Sequence, residues 1–130
     1  MAFYVDTSAA VKLVVAEAGS RAMHRWASEH QDALVSSDLL RTELLRAVRR
    51  GAPNRMERAR MVLDSLTLLT LPTSVFERAG ELEVESLRSL DALHLAVALE
   101  LGDDLEGIVT YDDRLADAAR SSGVMVVAPS

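Results

Sequence analysis

Short runs of β-favouring residues alternate with longer helical patterns along this chain of 130 residues. Strand-like composition is found in segments 2–5, 33–36, 67–71, 108–111 and 124–127. Because the segments between them have a helical period, right-handed crossovers would place the strands in a mainly parallel sheet. The pattern therefore predicts one α/β domain over residues 1–130, with three layers in the order α/β/α.

The helical patterns are bounded by residues that start or stop helices. Gly102 stops the sixth helix. Ser37 or Asp38 is predicted to cap the third helix, as Thr73 or Ser74 caps the fifth. The predicted helices span about 8–16, 20–29, 39–50, 54–63, 74–79, 91–101 and 113–120.

Composition excludes several classes of protein. The chain has no cysteine, so it has neither a disulfide framework nor a thiolate ligand or nucleophile. It contains no apolar run of about 18 residues and no export signal. We therefore expect a cytoplasmic protein that is not associated with a membrane.

The charge distribution allows two interpretations. A net charge of −6 argues against a nucleic-acid partner, because phosphate binding usually leaves a basic surface. Seven arginines nevertheless lie between Arg41 and Arg60, with only Glu43 and Glu57 to balance them. Arginine suits phosphate groups, but an arginine-biased genome would give the same composition.

Two acidic residues follow predicted strands directly. Asp6 comes after the first strand, and Asp112 comes after the strand over 108–111. If these strands are parallel, both carboxylates lie at the same edge of the sheet, where open α/β sheets bind ligands. Each acid has a simpler alternative role as the cap of the helix that follows it.

Two further acids fall on apolar helix faces. Glu43 shares its helical stripe with Leu40 and Leu44, and Asp91 begins a helix that is apolar nearly all round. A buried carboxylate must be protonated, paired or bound to a cation. Glu43 has an alternative partner in Arg46 or a distant arginine, and Asp91 has an alternative role at the start of its helix.

Four carboxylates packed together would repel one another unless a cation separates them. Oxygen ligands suit Mg²⁺ or Mn²⁺, and the lack of cysteine and of paired histidines disfavours zinc. Asp113 is an alternative to Asp112, and His94 is interpreted as a packing or hydrogen-bonding residue rather than a general base. Hydroxyl groups near the acids are found on Thr7, Ser8 and Thr110. They would either orient the acids or simply cap helices.

Four segments contain these acids in a distinctive order and spacing. They are FYVDTS at 3–8, SSDLLRTELLRA at 36–47, LRSLDALHLA at 87–96 and VTYDDRL at 109–115. With them the chain resembles the PIN-domain family over essentially its whole length, and specifically the VapC-type ribonuclease toxins of prokaryotic toxin–antitoxin pairs. The resemblance implies a three-layer PIN-like fold.

The resemblance also implies an activity and partners. In that family the four acids, here Asp6, Glu43, Asp91 and Asp112, form an Mg²⁺ or Mn²⁺ site that cleaves RNA phosphodiester bonds. It further implies a VapB-type antitoxin whose C-terminal segment covers the active-site groove, and a homodimer. The candidates for contacts with RNA phosphates are Arg41, Arg46, Arg49 and Arg50.

Two other functions remain to be compared with the nuclease. A phosphoryl-accepting enzyme also ends its first strand on aspartate, but here no second aspartate lies two residues after Asp6 and the only lysine, Lys12, is on the first helix. A P-loop is excluded because its glycine and lysine pattern is absent. The second alternative is a non-catalytic module with the same fold that binds RNA or an antitoxin.

Overall fold

Five short strands form the centre of the molecule, which is described over residues 1–130 by a computed structural model. All neighbouring strands are parallel, in the spatial order β3-β2-β1-β4-β5. The strands are β1 (Ala2–Val5), β2 (Leu34–Ser37), β3 (Thr67–Leu69), β4 (Leu105–Val109) and β5 (Val126–Val127).

Seven α-helices connect the strands and cover the sheet. They are α1 (Thr7–Lys12), α2 (Ser20–Glu29), α3 (Leu39–Gly51), α4 (Met56–Ser65), α5 (Thr73–Gly80), α6 (Ser89–Glu100) and α7 (Asp113–Ser121). No helix has both the length and the apolar character needed to span a membrane.

Alternation along β1 separates two apolar cores. Phe3 and Val5 face a core built with residues of α1 to α4, whereas Tyr4 faces a second core built with α5 to α7. A strand places successive side chains on opposite faces, so one strand serves both layers. The prediction of a three-layer α/β/α domain with a parallel sheet is confirmed.

The strand order determines where a site is found. The chain moves outward from β1 to β2 and β3 on one side, and then to β4 and β5 on the other. The order therefore reverses beside β1, and ligands in open α/β sheets bind at the carboxyl edge of such a reversal point. Asp6, the first residue after β1, lies at that edge.

Several predicted boundaries are wrong. The strand predicted at 108–111 starts at Leu105 and ends at Val109, because the Tyr111 amide donates to Ser8 Oγ instead of to a strand. Gly107 permits this register, since a Cβ there would lie 3.0 Å from the carbonyl oxygen of Met125.

The first strand lies where it was predicted, but the second is displaced by one residue, and the third and fifth strands and the first helix are shorter than predicted. Helix α1 stops at Lys12 rather than near residue 16, because the Leu13 and Val14 amides bond to carbonyls three residues back and tighten the turn. Asp38 makes no capping bond, since its carboxylate pairs with Arg41. Neither Thr73 nor Ser74 caps α5, which follows Pro72.

Candidate active site

Asp6 is held in place by the protein itself. Its Oδ1 accepts from the Ala9 amide (3.0 Å) and Ser8 Oγ (2.7 Å), and its Oδ2 accepts from Thr110 Oγ1 (2.5 Å). The residue is only 3% exposed, and this burial raises its pKa despite the three donors. Asp6 therefore caps α1, as the simpler interpretation proposed, and also faces the sheet edge.

Glu43, on α3, uses one oxygen for both of its protein contacts. Its Oε1 accepts from Thr7 Oγ1 (2.8 Å) and contacts His94 Nε2 (2.5 Å). Burial raises its pKa, but the hydrogen bond and charge of His94 and the bond from Thr7 lower it more, so the net shift is downward. The partner of Glu43 is thus a histidine, whereas the sequence suggested Arg46 or another arginine.

The Asp91 carboxylate, on α6, makes no hydrogen bond and no ion pair with the rest of the chain. It lies in the first turn of α6 and is about half-buried. Burial raises its pKa, and the nearby charges of Asp112 and Glu43 raise it further, against a smaller opposing effect of His94 and Arg88. Asp91 is therefore the acid that would gain most from a bound cation.

Asp112 combines two roles with its two oxygens. Its Oδ1 accepts from the Arg114 amide (2.9 Å) and the Leu115 amide (3.2 Å), which caps α7. Its own amide donates to Thr110 Oγ1 at 3.0 Å, so the loop after β4 is held against Asp6. The second carboxylate oxygen of Asp112 has no partner in the chain and is available to a ligand.

A pocket of about 420 Å³ brings all four acids together. Only one apolar residue, Leu90, lines it. A groove of about 470 Å³ between α2 and α4 is larger, but Asp32 is its only acid, so it offers no comparable chemistry. The acid pocket is lined by Asp6, Thr7, Ser8, Glu43, Arg88, Ser89, Leu90, Asp91, His94 and Asp112.

The donor atoms of this acid pocket suit a hard divalent cation. Free carboxylate oxygens remain on Glu43, Asp91 and Asp112, and oxygen is the ligand that Mg²⁺ and Mn²⁺ prefer. The acids surround the pocket without converging on one point, since no three Asp, Glu or His side chains form a ready metal site. Zinc fits poorly, because both ring nitrogens of His94 already contact protein oxygens.

The arginines predicted to contact phosphate do not line this pocket. Arg41 pairs with Asp38 at 2.8 Å, and Arg46 lies one helical turn beyond Glu43 on the exposed face of α3. Arg49 and Arg50, in the last turn of α3, are farther away still. The arginines found here are instead Arg88, which lines the pocket, and Arg114, which lines the adjoining space.

Comparison with known proteins shows which family this chain belongs to. A family model described as PIN domain matches residues 3–121. The chain belongs to the PIN-domain family. It is 43% identical over 129 residues to the ribonuclease VapC46 of Mycobacterium tuberculosis, covering 99% of this chain and 98% of that protein. It is 40% identical to the ribonuclease VapC47 of the same species, with coverage of 97% and 96%. This PIN domain is therefore of the VapC type.

Two solved structures share the fold of this PIN domain. One is the M. tuberculosis toxin VapC20, described as cleaving the sarcin-ricin loop, with a TM-score of 0.79, 17% identity and coverage of 98% and 100%. The other is a toxin–antitoxin complex from Klebsiella pneumoniae, with a TM-score of 0.73, 20% identity and coverage of 100% and 98%. At these identities the likeness establishes the fold alone.

Three features of the site were not predicted from the sequence. They are the contact of Glu43 with His94, the place of Arg88 at the pocket and that of Arg114 beside it. A partial signal was present, because His94 lies three residues after Asp91 and so on the same side of α6.

Proposed function

We propose that this PIN domain hydrolyses RNA phosphodiester bonds at the acid pocket, with Asp6, Glu43, Asp91 and Asp112 as its metal-binding and catalytic residues. As a VapC-type protein, it is a toxin endoribonuclease of a toxin–antitoxin system. The observation that supports the site assignment is the pocket that four acids from separate elements line, in which Asp91 has no partner in the chain.

VapC-type PIN domains generally depend on a divalent metal, and we propose Mg²⁺ or Mn²⁺ for this one. When bound, such an ion lowers the pKa of water and stabilises the negative charge that develops on the phosphoryl group. Asp91, with both oxygens free, and Asp112, with one, would hold it. Glu43 offers its free oxygen, Oε2, as a ligand or to orient the attacking water.

Asp6 differs from the other three acids because the protein fixes its carboxylate most firmly. Three protein donors already bind its oxygens, so its position is set before any ligand arrives. A carboxylate that does not reorganise loses no free energy on orientation when the substrate binds. Ser8 and Thr110, which donate to it, therefore act on the reaction through Asp6.

RNA reaches an acidic pocket only if its phosphates meet positive charge. Arg88 lines the pocket beside Asp91, and Arg114 lines the adjoining space with Asp112 and Asp113. Neither guanidinium is paired with an acid. We assign contacts with the RNA phosphates to Arg88 and Arg114, in place of the arginines of α3.

The partners follow from the same assignment. A VapB-type antitoxin with a basic side chain would neutralise the acids and block RNA at once, which makes the pocket the natural place for inhibition. We further propose that the chain acts as one domain over residues 1–130 and forms a homodimer, which sedimentation or light scattering of the purified protein would test.

The decisive experiment is cleavage of RNA by the purified protein. Structured RNA should be cut internally when Mg²⁺ or Mn²⁺ is present and left intact in EDTA. Asp91→Asn and Asp6→Asn should abolish cleavage, whereas Asp117→Asn should not, because the Asp117 side chain is 80% exposed and lies outside the pocket. Equal cleavage by Asp91→Asn and wild type would contradict the site, and cation binding without cleavage would favour a non-catalytic binding module.

A further inference from the structure

Glu43 is the end of a line of polar side chains that runs into the core. The Tyr4 hydroxyl lies 2.8 Å from Ser37 Oγ and 2.7 Å from His94 Nδ1, and His94 Nε2 contacts Glu43 Oε1. Tyr4 and Ser37 are fully buried, and His94 is 1% exposed. The line joins β2, β1, α6 and α3, and it reaches the surface only at the acid pocket.

The imidazole is oriented from both of its ends. An ionised carboxylate only accepts hydrogen bonds, so the hydrogen between His94 and Glu43 belongs to Nε2. At the other ring nitrogen the bond with Tyr4 runs in either direction, because the hydroxyl can donate to Nδ1 or to Ser37. In both arrangements Tyr4 fixes the Nδ1 end, and Nε2 is thereby aimed at Glu43.

The consequence for Glu43 is an unequal use of its two oxygens. Oε1 receives both His94 and Thr7, whereas Oε2 has no partner in the chain. The side chain is 23% exposed, and no buried polar atom in the protein lacks a partner, so Oε2 faces the open pocket. The carboxylate therefore presents one oxygen outward in a fixed direction.

We propose that His94, held by Tyr4, is a positioning residue that fixes Glu43 so that Oε2 alone is offered to the bound cation or attacking water. This inference rests on the proposed metal-dependent function of the pocket. Burying three polar side chains in an otherwise apolar core costs more free energy than burying apolar side chains of the same shape. Such a network specifies one geometry when every polar group in it has a hydrogen-bond partner.

Two substitutions of His94 separate this role from packing. Glutamine places an amide N–H as many bonds from the backbone as Nε2, so His94→Gln can still donate to Glu43. Asparagine places its amide where Nδ1 stands, so His94→Asn can contact Tyr4 but not Glu43. Both variants remove the ring and keep a neutral polar group, which makes them a matched pair.

The first readouts are cation affinity and the kinetic constants. Titration calorimetry with Mn²⁺ should show affinity lowered by about 10- to 100-fold in His94→Asn, as for loss of a residue that orients a ligand. RNA cleavage should lose kcat with little change in KM, because the RNA contacts lie elsewhere. His94→Gln should retain most of both quantities, and Asp117→Asn should match wild type.

A second variant covers the case in which His94→Asn does not fold. Tyr4→Phe keeps the aromatic packing and removes only the hydroxyl that orients the imidazole. It should lower Mn²⁺ affinity and kcat in the same direction as His94→Asn, while thermal unfolding shows a folded protein. Unchanged affinity and kcat in a folded Tyr4→Phe would overturn the inference.

The remaining outcomes distinguish this inference from the proposed function. Wild-type affinity and kcat in a folded His94→Asn, or equal losses in His94→Gln and His94→Asn, would overturn the positioning role. Failure of the wild type to cleave RNA would instead overturn the proposed function. In that case metal-free crystal structures of the two variants test the positioning role. Glu43 should leave its place beside Thr7 in His94→Asn and keep it in His94→Gln. If the two structures show no such difference, His94 does not position Glu43.

Discussion

Thr110 Oγ1 donates a 2.5 Å hydrogen bond to Asp6 Oδ2, although the two residues are 104 positions apart in the chain. The contact follows from the parallel pairing of β1 with β4, in which Val5 lies opposite Val109. The next residue of each strand then projects at the same edge of the sheet. A carboxylate at the end of one strand is thus held by a hydroxyl at the end of its neighbour.

Removing this hydroxyl should destabilise the protein. Thr110→Val keeps the shape of the side chain but leaves the buried Asp6 with one donor fewer and the Asp112 amide without its acceptor. We expect a loss of about 1–3 kcal/mol in the free energy of unfolding, measured with urea. Thr67→Val, at an exposed position of β3, is the matched control and should change it by less than about 0.5 kcal/mol.

Neutralising Asp91 should have opposite effects on stability and on activity. The carboxylate is half-buried, has no partner and is repelled by Asp112 and Glu43. In EDTA, Asp91→Asn should therefore have a higher Tm than wild type, while its cleavage of RNA with Mn²⁺ falls by about 100-fold or more. A lower Tm in EDTA would show that Asp91 has a structural partner after all.

The stability gain of Asp91→Asn should increase as the pH rises. The folded-state pKa of Asp91 is raised above its ordinary value of 3.8, so in the intervening range the folded protein binds more protons than the unfolded chain. This residue therefore destabilises the folded protein increasingly as the pH rises through its folded-state pKa. The difference in unfolding free energy between variant and wild type, measured in EDTA, should be largest near neutral pH and should vanish once the pH falls below 3.8.

Divalent cations should stabilise the wild type and not Asp91→Asn. A ligand that binds only the folded state contributes about 2.7 kcal/mol when its concentration is 100 times its Kd. Thermal unfolding with increasing Mn²⁺ should raise the Tm of the wild type, and EDTA should reverse the rise. A parallel rise in Asp91→Asn would place the cation at another site.

Arg88 and Arg114 should contribute to RNA binding, whereas the arginines of α3 should not. Arg88→Gln and Arg114→Gln are expected to raise KM, and each should reduce the slope of log affinity against log salt by about 0.7, the value for one phosphate of a single strand. Arg49→Gln is the matched control, with its guanidinium remote from the pocket. An equal effect of Arg49→Gln would show that the arginines of α3 also contact the RNA phosphates.

Much of the site was predictable because it depends on local rules. A strand followed by an acid predicts a carboxylate at the sheet edge, and this reasoning applied to Asp6 and Asp112. Helical periodicity drew attention to Glu43 and Asp91 as acids in apolar surroundings. The structure places all four along one pocket, as expected for elements that meet at the edge of a parallel sheet.

The missed contacts depend on how whole elements are placed against one another. Whether His94 reaches Glu43 is decided by the rotation of α6 relative to α3, and α6 is apolar nearly all round, so its periodicity does not show which side faces α3. Arg88 lies at the site because the segment between α5 and α6 passes the pocket, although it is distant in sequence from the basic segment. The abundance of arginine in one segment therefore did not indicate which arginines lie at the acid pocket.

The hydrogen-bond donors around Asp6 and Glu43 indicate that folding of this enzyme and its binding of a metal ion are separate events. Because hydroxyl, amide and imidazole groups already hold these two carboxylates, we expect the scaffold to fold without an ion. A chelator should accordingly silence the molecule while leaving its architecture intact. We therefore expect the newly made protein to fold before it binds an ion, so that occupancy of the pocket by a cation or by an antitoxin, rather than folding, controls when it cuts RNA.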